Sequence, residues 1–297
     1  MWIFFAFLAP AFYSIAEVFD NFLANKKFKK LLTLVFYTSL FNLIFIPVLF
    51  LFDPPQIPPL DTLPIFVILG FISIGYLYPY YKGLQSDDTS IAISFFAIGR
   101  LFIPVLAFLI VGEVLDLVQY IGIALIVTSV IALGLHHTKA KFRFSKAIWH
   151  IGLAAFILAF EGVLFKLLFD DGVSVSTAIG GEAAIALILA LSLLAFHRVR
   201  HDIKASLPTF IRLSPLFLLE EMLTFFGLAA EAYAISLTSV SVVKGITMIS
   251  PFYLLIFAWL GRGLFPSVFK EDLHKGHLLK KILFFAILLS GVILLRE

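Results

Sequence analysis

The sequence contains no cysteine, which excludes disulfides, thiolate nucleophiles and cysteine-ligated metals. Charge is scarce as well: 14% of the 297 residues are charged, against 61% hydrophobic and a mean hydropathy of +1.06. Soluble domains run nearer ~25% charged and ~45–50% apolar, so most of this surface is expected to face lipid rather than water. No basic residue precedes the first apolar run, which opens Met1-Trp2-Ile3-Phe4, and a cleaved signal peptide with a positive n-region is not expected. Motifs of membrane enzymes and ATP-driven pumps are missing too. There is no His-Glu-x-x-His, no Gly-x-Ser-x-Gly and no nucleotide-binding loop of Walker type, while Asp87-Asp88 and Asp170-Asp171 lie at loop edges without the remaining spacing of a prenyltransferase acid pair. No cofactor and no metal site is expected. A net charge of +3 with a pI near 9.0 could suggest nucleic acid, but the bases are spread over short loops between apolar runs, a pattern that membrane topology explains better.

What the chain has is apolar length. Runs of roughly 17 to 25 residues, enough to cross a ~30 Å hydrocarbon core as helix, fall at 2–24, 31–51, 63–81, 91–111 and 117–135, and again at 147–169, 176–196, 210–235, 240–260 and 279–295. Backbone groups in lipid must be satisfied within the segment, and these runs are too long for barrel strands. The expected fold is an all-α integral membrane protein with ten transmembrane helices. Basic residues follow spans 1, 3, 5, 7 and 9 (Lys26, Lys82, Lys139, Arg198 and Arg262 among them), and the loops after spans 2, 4, 6 and 8 contain none. With bases held on the cytoplasmic side, both termini are expected outside a plasma or inner membrane, with acidic turns such as Asp53, Glu113 and Asp170.

The two sets of five spans answer one another. Thr89-Ser90-Ile91 and Thr238-Ser239-Val240 open spans 4 and 9, and Pro104 and Pro251 follow in mid-span. Glu17 in span 1 corresponds to Glu161 in span 6. These offsets run from 144 to 149 residues. An odd number of spans per half inverts the second copy, so two inverted five-helix repeats are expected at 1–135 and 147–297, joined by a basic cytoplasmic linker at 136–146.

In order and duplication these features resemble the EamA type of the drug/metabolite transporter superfamily. The first half carries the proline-bearing fourth helix with Pro104, the turn Gly112-Glu113, and Gln119-Tyr120-Ile121-Gly122 opening the fifth. The second half departs from the pattern, since the position of Glu113 falls within Leu260-Gly261-Arg262 and an insertion from Gly263 to His277 lengthens the last loop. The resemblance implies a membrane transporter working by alternating access on amino acids, amines or other metabolites.

Charges inside hydrocarbon are costly and usually face the bundle interior. Seven acids lie in the spans (Glu17, Asp20, Glu161, Glu182, Glu220, Glu221 and Glu231) with three bases (Arg100, Lys166 and Lys244). Such an excess of acid calls for protons or for a cation during part of the cycle. Counted at 1.5 Å per residue, Arg100, Glu161, Glu220 and Glu221 lie near mid-membrane and Glu17 towards the cytoplasm. Lys166, Glu182, Glu231 and Lys244 lie nearer the outer mouth, where structural ion pairs compete as an explanation, and Asp20 lies close enough to the inner surface for solvation. Glu220, Gly227 and Glu231 share a helical stripe, which lines a cavity or seals helices together. Pro104 and Pro251 free the carbonyls of Arg100 and Thr247 and are read as cavity-lining helix breaks, with packing kinks as the alternative. The tyrosines Tyr76, Tyr78, Tyr80 and Tyr81 read as an interfacial belt.

The expected function is secondary transport of a small polar metabolite, amino-acid-like or amine-like. Glu17, Glu161 or Glu220 would bind the amine or a coupling proton, and Arg100 would balance the acids or hold a carboxylate. An organic-anion or phosphorylated-metabolite transporter using Arg100 and Lys244 is the alternative within transport; an integral membrane enzyme, or a receptor or scaffold, is the alternative outside it. The expected partners are the solute, the lipid bilayer and a coupling proton or ion, with no nucleic acid; a monomer and a homodimer are both left open.

Overall fold

A computed structural model of the protein describes residues 1–41, 43–85, 99, 102–137, 146–261 and 275–295. Among the described residues every regular element is a helix: α1 Trp2–Phe22, α2 Leu31–Phe41, α3 Ile46–Phe50, α4 Leu63–Gly75, α5 Leu77–Leu84, α6 Ile103–Val111, α7 Leu117–His137, α8 Lys146–Asp170, α9 Val175–Ser192, α10 His197–Leu237, α11 Val240–Thr247, α12 Ser250–Gly261 and α13 Lys275–Leu294. Six stretches among them are long and apolar enough to cross a membrane: Trp2–Lys27, Leu31–Phe50, Leu60–Leu84, Trp149–Asp170, Val175–Ala195 and His197–Leu237. They coincide with six of the ten expected runs. Shorter apolar helical stretches occupy three more, at Leu117–Ser129, Val240–Leu254 and Leu283–Leu294. Much of the run 91–111, with Arg100, and most of the insertion after Gly263 lie outside the described residues.

The outer surface is apolar, as a chain solvated by lipid requires. Phe71, Phe108, Leu109 and Leu117 are all exposed, whereas the carboxylates Glu161, Glu182, Glu220, Glu221 and Glu231 are buried. This inversion of the usual rule of polar groups outside makes the protein a multi-pass membrane protein.

The strongest helix pairings join the two sequence halves: α1 lies along α10, α4 along α9, α5 along α8 and α7 along α13. The halves therefore interlock, and the chain midpoint does not separate two lobes. Close approach is built into the sequence. Gly70 in α4 lies against Ile185 in α9, and Gly83 in α5 against Ile151 in α8, so that an added methyl would collide with the partner side chain in each case.

Several spans are interrupted, each for a local reason. Pro79 removes the amide that would bond the carbonyl of Gly75, and the helix changes course at Tyr76 between α4 and α5. Pro251 does the same to Thr247, where α11 ends before α12 begins at Ser250. Pro104 sits in the first turn of α6, where its missing amide costs nothing. One expectation is corrected here. The basic stretch before the run 210–235 is not a loop but the opening of the 41-residue helix α10. Its Arg, Lys, Ala and Leu are good helix formers and it contains no glycine before Gly227. Pro215, deeper in the same helix, leaves the carbonyl of Ile211 without its usual donor, and the Ser214 hydroxyl donates to it at 2.9 Å.

Candidate functional site

A cavity of about 150 Å³ opens among α1, α4, α5, α8, α9, α10 and α11. Among the described residues five carboxylates line it, Glu17 and Asp20 from α1, Glu161 from α8, Glu182 from α9 and Glu231 from α10, with one base, Lys244 from α11. Hydroxyls of Tyr13, Ser73, Tyr76, Tyr80 and Thr224 complete the polar lining, and the remainder is alanine, isoleucine, leucine and phenylalanine. This excess of acid over base in a buried space decides what the cavity favours. A cation gains there what an anion loses.

At one end, Lys244 Nζ lies 2.8 Å from Glu231 Oε2 and 4.0 Å from Glu161 Oε2. The Tyr13 hydroxyl donates to the same Glu231 oxygen at 3.2 Å. Glu182 lies within hydrogen-bonding reach of Glu161 and Ser73. Gly162 makes the lysine's position possible, because a methyl there would stand 2.4 Å from Lys244 Cε. Gly227 does the same for the Tyr13 ring, 2.7 Å from where a methyl would sit. At the other end, Asp20 Oδ2 accepts from the Tyr80 hydroxyl at 3.0 Å.

Helix α11 owes its position to the first half of the chain. Gly112 closes α6 in the left-handed conformation (φ 69°), and the Glu113 amide bonds back to Ala107 at 3.2 Å, satisfying a carbonyl in the last turn of the helix. The carboxylate of Glu113 then accepts from the amides of Val240 at 2.9 Å and Ser241 at 3.1 Å, in company with the Ser239 cap on Val242. Asp53 plays the same part for α9, accepting from the Ser176 amide at 2.7 Å. A carboxylate at a helix N-terminus satisfies orphan amides and complements the dipole. These two acids, expected only as exposed turn residues, thus tie the loops of the first half to helices that carry Glu182 and Lys244.

Of the expected site residues, Glu17, Glu161 and Lys244 come together in the cavity. Glu220 does not reach its lining. It stays behind Thr224, whose hydroxyl donates to Glu220 Oε1 at 3.0 Å, and Glu221 turns towards Thr38. Arg100 lies outside the described residues. Pro104 and Pro251 shape the spans without lining the cavity, although their neighbours Ile103 and Lys244 do line it. Lys166 pairs with Asp170 at 2.8 Å, one turn away near the end of α8.

Five groups enter that were not expected at the site. Glu182 and Glu231, expected nearer the outer mouth with structural ion pairs as the competing explanation, line the cavity, and Asp20 is buried rather than solvated. Of the tyrosines expected in a belt, Tyr76 and Tyr80 face the cavity and Tyr81 is buried against Thr38, leaving Tyr78 exposed. The i, i+4 spacing of Tyr76 and Tyr80 was the available signal for a shared inward face.

Residues 1–135 match the EamA-like transporter family, which bears out the resemblance to the drug/metabolite transporters over that half. A solved structure described as "Crystal structure of protein" shares 15% identity with this chain, covers 99% of it and 94% of its own length, and superposes with a TM-score of 0.66; at that identity the likeness concerns the fold alone. No curated protein matches the chain.

Proposed function

We propose that this protein is a secondary transporter that carries a small amine-like or amino-acid-like metabolite through the cavity by alternating access. The observation that carries the reading is the lining itself, with five carboxylates and one lysine among the described residues around about 150 Å³. That volume corresponds to about five waters at ~30 Å³ each, which suits a small solute and not a lipid or a nucleotide. Glu161 and Glu231 would receive the ammonium, competing with Lys244 for it, and the hydroxyls of Tyr13 and Tyr76 would orient it. Release of Lys244 from Glu231 offers a way to couple binding to movement of α11, and through Glu113 to the end of the first half. A proton supplied at the carboxylates would restore charge balance when the solute leaves.

The reading includes the ten-span architecture of two inverted five-helix repeats, 1–135 and 147–297, with the linker 136–146 and both termini outside a plasma or inner membrane. The arrangement of Glu113 and Asp53 at helix starts supports it, since both then sit at the outer mouth. An anion clamp of Arg100 and Lys244 gains no support, because Lys244 is already engaged by carboxylates. The test is flux in proteoliposomes with labelled amines, amino acids and organic anions. Uptake of an amine or amino acid that collapses at least tenfold in Glu161→Gln and in Glu231→Gln is expected; preferential organic-anion flux, or amine flux indifferent to both substitutions, would overturn the reading.

A further inference from the structure

The acids of the cavity fall into two poles. One gathers Glu161, Glu182 and Glu231 about Lys244, at the level where the Tyr13 hydroxyl arrives. The other is Asp20, held by Tyr80. Along α1, Tyr13 and Asp20 are seven residues apart, an axial rise of about 10 Å. Glu17 lines the wall between them.

Each pole retains unused acceptor capacity. Oε2 of Glu182 and Oδ1 of Asp20 have no hydrogen-bond partner among the described residues, although the residues are only 3% and 8% exposed. A buried carboxylate oxygen without a donor is costly, and two of them lining opposite ends of one cavity point to a ligand that brings a donor to each. At the first pole three carboxylates face one lysine; at the second no ion pair to Asp20 exists among the described residues. Positive charge is therefore called for at both ends, and the wall between carries Ala16, Ala155, Leu158, Ala159 and Phe225, which suit a methylene chain.

From this geometry, which rests on the amine-transport reading above, we infer that the preferred solute is a linear α,ω-diamine. One ammonium would sit at Glu161 and Glu231 with Glu182 as a further acceptor, the other at Asp20, with the chain along α1 past Glu17. Taking that rise of about 10 Å as the spacing of the acceptors and allowing about 2.8 Å for each charge-assisted hydrogen bond, about 4–5 Å is left between the nitrogens, which two to three methylenes span.

The experiment is a thermal-shift and flux series on the purified full chain, with diamines of two to ten methylenes, the matching monoamines, lysine and alanine. Stabilisation and uptake are expected to peak at two to three methylenes, at least tenfold above the monoamine of equal length. Asp20→Asn is expected to remove that advantage while leaving the weaker monoamine response in place, which a general loss of folding would not do. Should that variant fail to fold, the length series on the unaltered protein still decides. Monoamines, or lysine or alanine, acting as well as diamines would overturn the two-pole assignment and leave amine or amino-acid transport standing. Silence from every amine and amino acid would overturn both.

Discussion

Lys244 runs across Gly162, its Cε 2.4 Å from where a β-carbon on that glycine would be. The glycine belongs to α8 beside Glu161 and the lysine to α11, so one missing methyl lets the only base among the described lining residues reach Glu231 at 2.8 Å. Gly162→Ala is expected to dislodge the ammonium from Glu231, lowering solute flux at least tenfold while helix content stays unchanged by circular dichroism. Undiminished flux in this variant would show that the lysine's placement is not needed.

Breaking the Lys244–Glu231 pair from one side strips the other group of its nearest counter-charge; a fully uncompensated buried charge costs about 3–5 kcal/mol, and for Lys244 the carboxylate of Glu161 at 4.0 Å offsets part of that loss. Lys244→Met and Glu231→Gln are each expected to lower the melting temperature in detergent, and the double variant to recover most of the loss. Additive losses would mean that the two side chains do not act as a pair.

Glu221 carries the opposite expectation. It is buried with Oε1 lacking a partner among the described residues, its neighbours include the acids Glu220 and Asp20, and no described base pairs with it. Glu221→Gln removes a carboxylate without orphaning a cation, so the melting temperature should hold or rise, by about 1 kcal/mol of stability. A fall comparable to that of Glu231→Gln would reveal a counter-charge at that site.

Seen from the sequence, the helical membrane class and the interior position of the acids followed directly from hydropathy and the cost of charge in lipid. Which acids meet did not. Axial depth along an idealised span places Glu231, Glu182 and Lys244 near a mouth, but cavity membership depends on which way each helix faces. Gly227 admits Tyr13, and Tyr13 draws in Glu231. Glu220, well placed by depth, is satisfied locally by Thr224. The roles of Glu113 and Asp53 depend on contacts more than a hundred residues away, which no local spacing encodes.

Glu113 offers a conformational test, made simple by the absence of native cysteine. Removing its carboxylate takes a cap from the start of α11, worth about 1–2 kcal/mol. In Glu113→Ala, a single cysteine introduced at Ser241 should react faster with a membrane-impermeant maleimide than the same cysteine with Glu113 intact. Equal rates would indicate that the cap does not restrain this end of the helix.

Gly122 in α7 and Gly291 in α13 stand so close that a methyl on either would come within 2.8 Å or 2.7 Å of the other's carbonyl oxygen. Backbone pressed on backbone leaves no side chain to slide or swap rotamers, so this pair can serve as a fixed post. If helices move to admit a solute, this contact is expected to carry α7 and α13 as a single unit.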